Sequence, residues 1–69
     1  MKRQRTPRNW IEITALVNSV DVTGAYSVDN DDVMTVRMNG GGSKIARGGP
    51  AAESIARMIL GELYREAHR

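Results

Sequence analysis

PAAESIARMILGELYREAH, from Pro50 to His68, is the stretch of this sequence that decides its fold. Its apolar residues recur at three- and four-residue spacing, which places them along one stripe of a 3.6-residue helix. Pro50 suits the first helical position, because its missing N–H would have no partner there. The pattern predicts a C-terminal helix whose stripe needs a covering layer. The stripe comprises Ala52, Ile55, Ala56, Ile59, Leu63 and Ala67.

The residues before this helix alternate in the manner of β-strands. Within the segment from Trp10 to Val17 the odd-numbered positions are all apolar, and Asn18-Ser19 then offers a two-residue turn. Pairing Val17 with Val20 keeps that face of both strands apolar or glycine. A slip of one residue would bring polar residues of the second strand onto the same face, so the register is specified by the pattern.

Two further strands are predicted, from Val33 to Met38 and, more briefly, from Ser43 to Arg47. The connection before the third strand must be odd in length or carry a bulge, so that the even-numbered residues of that strand join the apolar face. The fourth strand is expected to put Ile45 beside Val36. The sequence therefore predicts an α+β fold, an antiparallel three- to four-stranded β-meander followed by one C-terminal helix packed on its apolar face.

The basic residues are unevenly distributed along the chain. Of ten lysines and arginines, four lie within the first eight residues, which contain no acid and no apolar residue after Met1. The rest of the chain has six basic and eight acidic residues, a net charge of −2. We expect residues 1–9 to form a flexible basic arm and residues 10–69 a single domain. The basic residues of the arm are Lys2, Arg3, Arg5 and Arg8.

Length and composition limit how the domain can be stabilised. A chain of 69 residues buries only roughly 60% of the surface that its unfolded form exposes, so self-association into a homodimer is expected. Cysteine is absent, which excludes disulfides and thiolate metal sites. No apolar run of about 18 residues and no signal-peptide pattern is found. We therefore expect a cytoplasmic protein without membrane association.

Two segments invite a ligand-binding interpretation, and neither fits a known motif. The acidic turn from Asp29 to Asp32 lacks the glycine and glutamate of an EF-hand, because Met34 and Gly40 occupy those positions. The glycine-rich segment from Gly40 to Gly49 matches neither the Walker pattern nor the dinucleotide pattern. The single histidine, His68, is next to last. We predict no metal, no cofactor, no catalytic residue and no enzymatic activity.

Two surfaces are predicted to contact partners. One is the polar face of the helix around Arg57, Gly61 and Arg65, on which Gly61 is placed opposite the apolar stripe. This glycine either permits close approach of another backbone or is not under constraint. The other is the exposed sheet face around Trp10, Leu16 and Arg37. Nucleic-acid binding through the basic arm is the alternative, although Trp10 would be the only aromatic residue of that sheet face able to stack on a base.

Four segments carry a resemblance to short uncharacterised proteins of proteobacteria and their phages, over roughly residues 24–66. The segments are Gly24-Ala25-Tyr26-Ser27-Val28, Met34-Thr35-Val36-Arg37, Gly48-Gly49 and Ala56-Arg57-Met58-Ile59-Leu60-Gly61-Glu62-Leu63. The resemblance implies a small accessory protein of phage or prophage type that binds another macromolecule, and it transfers no catalytic residue. We therefore predict a non-enzymatic protein-binding accessory module, with nucleic-acid binding as the alternative.

Overall fold

The structure is a computed structural model that describes residues 9–68. Its four strands form one antiparallel sheet in the order β1-β2-β3-β4, and one helix packs across the sheet. This confirms the predicted α+β architecture, with the fourth strand present. The elements are β1 (Ile11–Val17), β2 (Val20–Val28), β3 (Val33–Met38), β4 (Ser43–Arg47) and α1 (Ala52–Ala67).

The hairpin of β1 and β2 has the predicted register. Val17 pairs with Val20, and the pairing continues without interruption to Ile11 opposite Tyr26. Both turn residues are left-handed, with φ of 52° at Asn18 and 66° at Ser19. A two-residue turn of this kind matches the right-handed twist of the strands, so the short connection fits although neither residue is glycine.

Val28 pairs with Met34, so five residues, an odd number, lie between these partners, as parity requires. The Asp32 N–H donates to the Asp29 carbonyl oxygen at 3.1 Å, and the Asp29 N–H donates to the Val33 carbonyl oxygen at 3.0 Å. The Asp29 carboxylate also accepts the N–H groups of Asp31 and Val33, at 2.8 and 3.0 Å. The acidic cluster therefore builds its own turn, and the even-numbered residues of β3 face the helix.

The predicted neighbour of Ile45 is wrong. Ile45 pairs with Thr35 and is 72% exposed on the sheet face away from α1, whereas Lys44 lies opposite Val36. The reason is the β3–β4 connection, in which the Met38 N–H donates to the Gly42 carbonyl oxygen at 3.0 Å. Since that closure again keeps even-numbered residues on the helix side, odd-numbered Ile45 must point outward.

Lys44 is therefore a cation on the helix side of the sheet. Its Nζ lies 2.7 Å from Glu66 Oε2 and 3.5 Å from Glu62 Oε1. The hydrogen bond that Lys44 Nζ donates to Glu66 and the charges of both carboxylates raise the pKa of the Lys44 ammonium above its ordinary value, against a lowering by desolvation. A raised pKa means that the ion pairs stabilise the fold at neutral pH and lose that effect only as the pH rises through the raised value.

The helix begins two residues later than predicted. The Ala52 N–H donates to the Gly49 carbonyl oxygen at 3.1 Å, and Gly49 has φ of 103°, so Pro50 lies in a turn that precedes α1 rather than at its first position. Among the residues predicted for the buried stripe, Ala67 is exposed at the last turn.

Leu60, which the predicted stripe leaves out, is fully buried at the centre of the core. It lies over Gly24 of β2, where an added Cβ would approach Leu60 Cδ1 to 2.8 Å. The glycine is the recess into which the leucine packs. The other buried apolar residues are Ile13, Val17, Val22, Tyr26, Met34, Val36, Ala56, Ile59 and Leu63.

Candidate functional site

Gly61 lies on the side of α1 that faces β1, and it is buried. A Cβ at this position would lie 3.6 Å from Val17 Cγ2, an ordinary van der Waals distance. Its predicted place opposite the apolar stripe is therefore wrong. Because Leu60 belongs to the core, the buried side of the helix reaches further round toward β1 than the predicted stripe.

Arg57 joins the helix to the free edge of β1. Val17 and Val20 close a two-residue hairpin, so the odd-numbered residues of β1 exchange hydrogen bonds with β2 and the even-numbered ones point their backbone groups outward. Thr14 is one of the latter, and its carbonyl oxygen accepts a hydrogen bond from Arg57 Nε at 3.1 Å. Arg57 also pairs with Glu53 one turn earlier. The edge is thus covered at its middle by a side chain.

Between α1 and β1 runs a groove of about 470 Å³. Two of its residues are large apolar side chains that remain exposed, Leu16 at 73% and Met58 at 63%. The groove therefore combines unburied apolar surface with two guanidinium groups. We call it the α1–β1 groove, and its lining residues are Thr14, Ala15, Leu16, Val17, Ser54, Arg57, Met58, Gly61, Glu62 and Arg65.

A second concavity lies on the open face of the sheet, the face away from α1. The Arg37 guanidinium carbon lies 5.3 Å from the centroid of the Trp10 ring, within the range of a cation–π contact. Both side chains line a cleft of about 560 Å³ together with the glycine turn that ends at Gly42. We call this the Trp10–Arg37 cleft.

The structure regroups the residues predicted to bind partners. Leu16 and Trp10 lie six positions apart along an extended chain, about 20 Å, and line different concavities. Leu16 instead lines the α1–β1 groove with Arg57, Gly61 and Arg65. Met58 also lines the groove, although it is not among the residues predicted from the sequence. The available signal was a large apolar residue outside the predicted apolar stripe of the helix. The structure shows that its side chain is exposed.

The residues predicted for a nucleic-acid contact belong to the basic arm. Lys2, Arg3, Arg5 and Arg8 lie outside the described residues. Within residues 9–68, no group of three or more histidine or acidic side chains could hold a metal ion. No helix in that range has the length and apolar character needed to cross a membrane.

Comparison with known proteins gave no match, whether with family models, curated proteins or solved structures. The resemblance to short phage-type proteins therefore stays a prediction.

Proposed function

We propose that this chain is a small non-enzymatic protein-binding accessory module whose partner docks in the α1–β1 groove. The observation that carries the proposal is the exposure of Leu16 and Met58 in a groove whose floor, at Gly61 and Val17, is closed and buried. Burying one such side chain contributes roughly 1.5–3 kcal/mol to association. The cytoplasm is the proposed compartment, and phage or prophage origin the proposed source.

The groove also limits the chemistry of the partner. Because Arg57 occupies the middle of the β1 edge, a partner is expected to insert side chains beside the edge rather than to add a strand along it. Arg65 and Met58 both line the groove. We expect the partner to present an apolar side chain next to a carboxylate. The apolar side chain would pack against Met58, and the carboxylate would pair with Arg65.

Replacing Met58 by aspartate is expected to weaken capture of the protein partner at least about tenfold, because it removes apolar contact and introduces a charge into the groove. The measurement is a quantitative pull-down from nuclease-treated lysate with wild type, Met58→Asp and Leu16→Asp. Val33→Asp is the matched control, since Val33 is a partly exposed apolar residue outside the groove.

A protein that wild type and the control retain, and that both groove variants lose, supports the proposal. Equal capture by all four chains would place the partner elsewhere. The same pull-down is repeated without nuclease, and material recovered only there would instead point to nucleic acid.

Self-association into a homodimer forms part of the same proposal. Residues 9–68 contain a core of ten buried apolar residues, which is small, and small domains commonly gain stability by burying further surface against a second copy.

A second candidate function, nucleic-acid binding, is favoured by the Trp10–Arg37 cleft. The basic arm is joined to the described residues at Asn9, next to Trp10, so four cations precede the cleft in the chain by at most eight positions. Trp10 offers a ring for base stacking and Arg37 a cation for a phosphate. The glycine turn leaves that side of the cleft without bulky side chains.

If the arm binds nucleic acid, four neutralised phosphates should give a slope of log affinity against log salt of about −3.6 on duplex DNA and about −2.8 on a single strand. Deleting Met1 to Arg8 should then abolish binding and leave the fold intact. Trp10 is the only tryptophan, so its fluorescence reports contact with a single-stranded oligonucleotide directly. Binding that survives the deletion would place the contact on Arg37 or the helix cations, and absence of binding at low salt would leave the protein partner alone.

A further inference from the structure

We propose that the homodimer forms by antiparallel pairing of β4 with β4 of a second copy, which joins two four-stranded sheets into one of eight strands. The inference rests on the self-association proposed above and names its surface. It starts from the two free edges of the sheet, β1 and β4, which differ in how they are covered.

The outward backbone groups of β4 follow from the hydrogen bonds of its hairpin. The Met38 N–H donates to the Gly42 carbonyl oxygen and the Gly48 N–H to the Asp32 carbonyl oxygen, at 3.0 and 2.6 Å. Hydrogen-bonded and non-hydrogen-bonded pairs alternate along two antiparallel strands. The backbone N–H and C=O groups of the even-numbered residues of β4 therefore bond to β3. The N–H and C=O groups of the odd-numbered residues point away from the sheet. These residues are Ser43, Ile45 and Arg47.

Within residues 9–68, the hydrogen bonds from side chains to strand-edge backbone reach β1, through Arg57, and not β4. The helix also makes more extensive contact with β1 than with β4. Ile45, in the middle of the β4 edge, is 72% exposed. An uncovered edge with an exposed aliphatic residue at its centre is a template for another strand.

The occupant that fits this edge is a second copy of the same chain. A two-fold axis at Ile45 uses all five residues of β4, sets Ile45 against Ile45 of the partner subunit and sets Arg47 against Ser43 of the partner subunit. No like charges then face each other directly. Lys44 would face Ala46 of the partner subunit, and its charge is already balanced by Glu62 and Glu66. Moving the axis to Lys44 would bring two ammonium groups together and lose pairs, so the register is specified.

The test compares two residues that differ mainly in their position. Ile45 and Leu16 are aliphatic, 72% and 73% exposed, and lie on opposite edge strands of the sheet. Ile45→Lys should raise the dissociation constant of the dimer about tenfold or more, since it opposes two cations at the axis, whereas Leu16→Lys should not. The measurement is sedimentation equilibrium from about 1 μM to about 1 mM, because a five-residue seam is small beside a standard interface of about 800 Å² per partner.

A second pair of variants tests the geometry without relying on charge. The chain has no cysteine, so Ile45→Cys and Leu16→Cys each carry a single thiol. Residues opposite one another in a hydrogen-bonded antiparallel pair have Cα atoms about 5.5 Å apart, within the range of a disulfide. Mild oxidation should therefore link Ile45→Cys chains into covalent dimers much faster than Leu16→Cys chains.

The outcomes separate this inference from the proposed function. A wild-type chain that keeps its monomer mass of 7.6 kDa over the whole range would overturn the dimer and leave the groove untouched. A dimer that Leu16→Lys disrupts, alone or as strongly as Ile45→Lys does, would overturn the β4 seam. A dimer lost only in Ile45→Lys, in a chain that still captures its protein partner, supports both. Circular dichroism of each variant shows that it is folded.

Discussion

Leu60→Asp is expected to abolish the cooperative unfolding transition, because the chain can no longer bury its helix. Leu60 is fully buried over Gly24, and truncating such a leucine to alanine alone costs about 2–5 kcal/mol. An aspartate there would add the cost of a buried charge without a partner. The whole stability of a domain of this length is roughly 3–10 kcal/mol, so the loss exceeds what the fold can absorb.

Met58→Asp provides the control for this experiment. Met58 lies two residues earlier in the same helix and is 63% exposed. An aspartate therefore costs about the same helix propensity at Met58 as at Leu60, but only the aspartate at position 60 would be buried. Thermal denaturation followed by circular dichroism should show a transition near that of wild type for Met58→Asp and none for Leu60→Asp. A Leu60→Asp chain that melts within a few degrees of wild type would mean that α1 does not pack on the sheet through this residue.

Gly24→Ala is expected to destabilise the fold by about 3 kcal/mol although it adds one methyl group. The new Cβ would clash with the backbone carbonyl oxygen of Arg37 and lie 2.8 Å from Leu60 Cδ1. A side chain can rotate away, but the Arg37 carbonyl is part of the β3 strand paired with β2. The strain must therefore separate the two strands or displace the helix.

Gly61→Ala should stabilise the fold, whereas Gly24→Ala should destabilise it, so Gly61→Ala is the matched control for Gly24→Ala. Both glycines are buried, but a Cβ at Gly61 meets only Val17 Cγ2, at 3.6 Å. Replacing a helical glycine by alanine then stabilises the helix by up to about 1 kcal/mol. Chemical denaturation of both variants measures the two free energies. Equal destabilisation by both would show that the helix lies closer to β1 than described.

The sheet could be predicted from the sequence because its determinants are local. The β1–β2 register follows from the period of two and the turn at Asn18-Ser19, and the odd number of residues between Val28 and Met34 follows from keeping one face apolar. The same preference for an apolar face is what wrongly put Ile45 beside Val36. The closure of Met38 on Gly42, which decides that Lys44 and not Ile45 lies opposite Val36, could not be derived from the sequence pattern.

The α1–β1 groove could not be predicted in the same way, because it depends on how the helix is rotated over the sheet. That rotation is set by Leu60 packing into the recess at Gly24, a contact between residues 36 positions apart in the chain. A projection of the helix that leaves Leu60 out of the core places Gly61 on the polar face. The hydrogen bond from Arg57 to Thr14 joins residues 43 positions apart, so the local spacing of residues cannot predict it.

The meander order of the strands has a consequence for how the chain folds. Each strand pairs with the next one in sequence, through connections of two to four residues, so the sheet can form hairpin by hairpin from contacts of low contact order. Chains of this kind fold faster than those that depend on distant strand pairing. The contacts that span the chain, from α1 back to β1, close the largest loop and carry the greatest entropic cost. We therefore expect docking of the helix on the first strand to be the slowest step of folding.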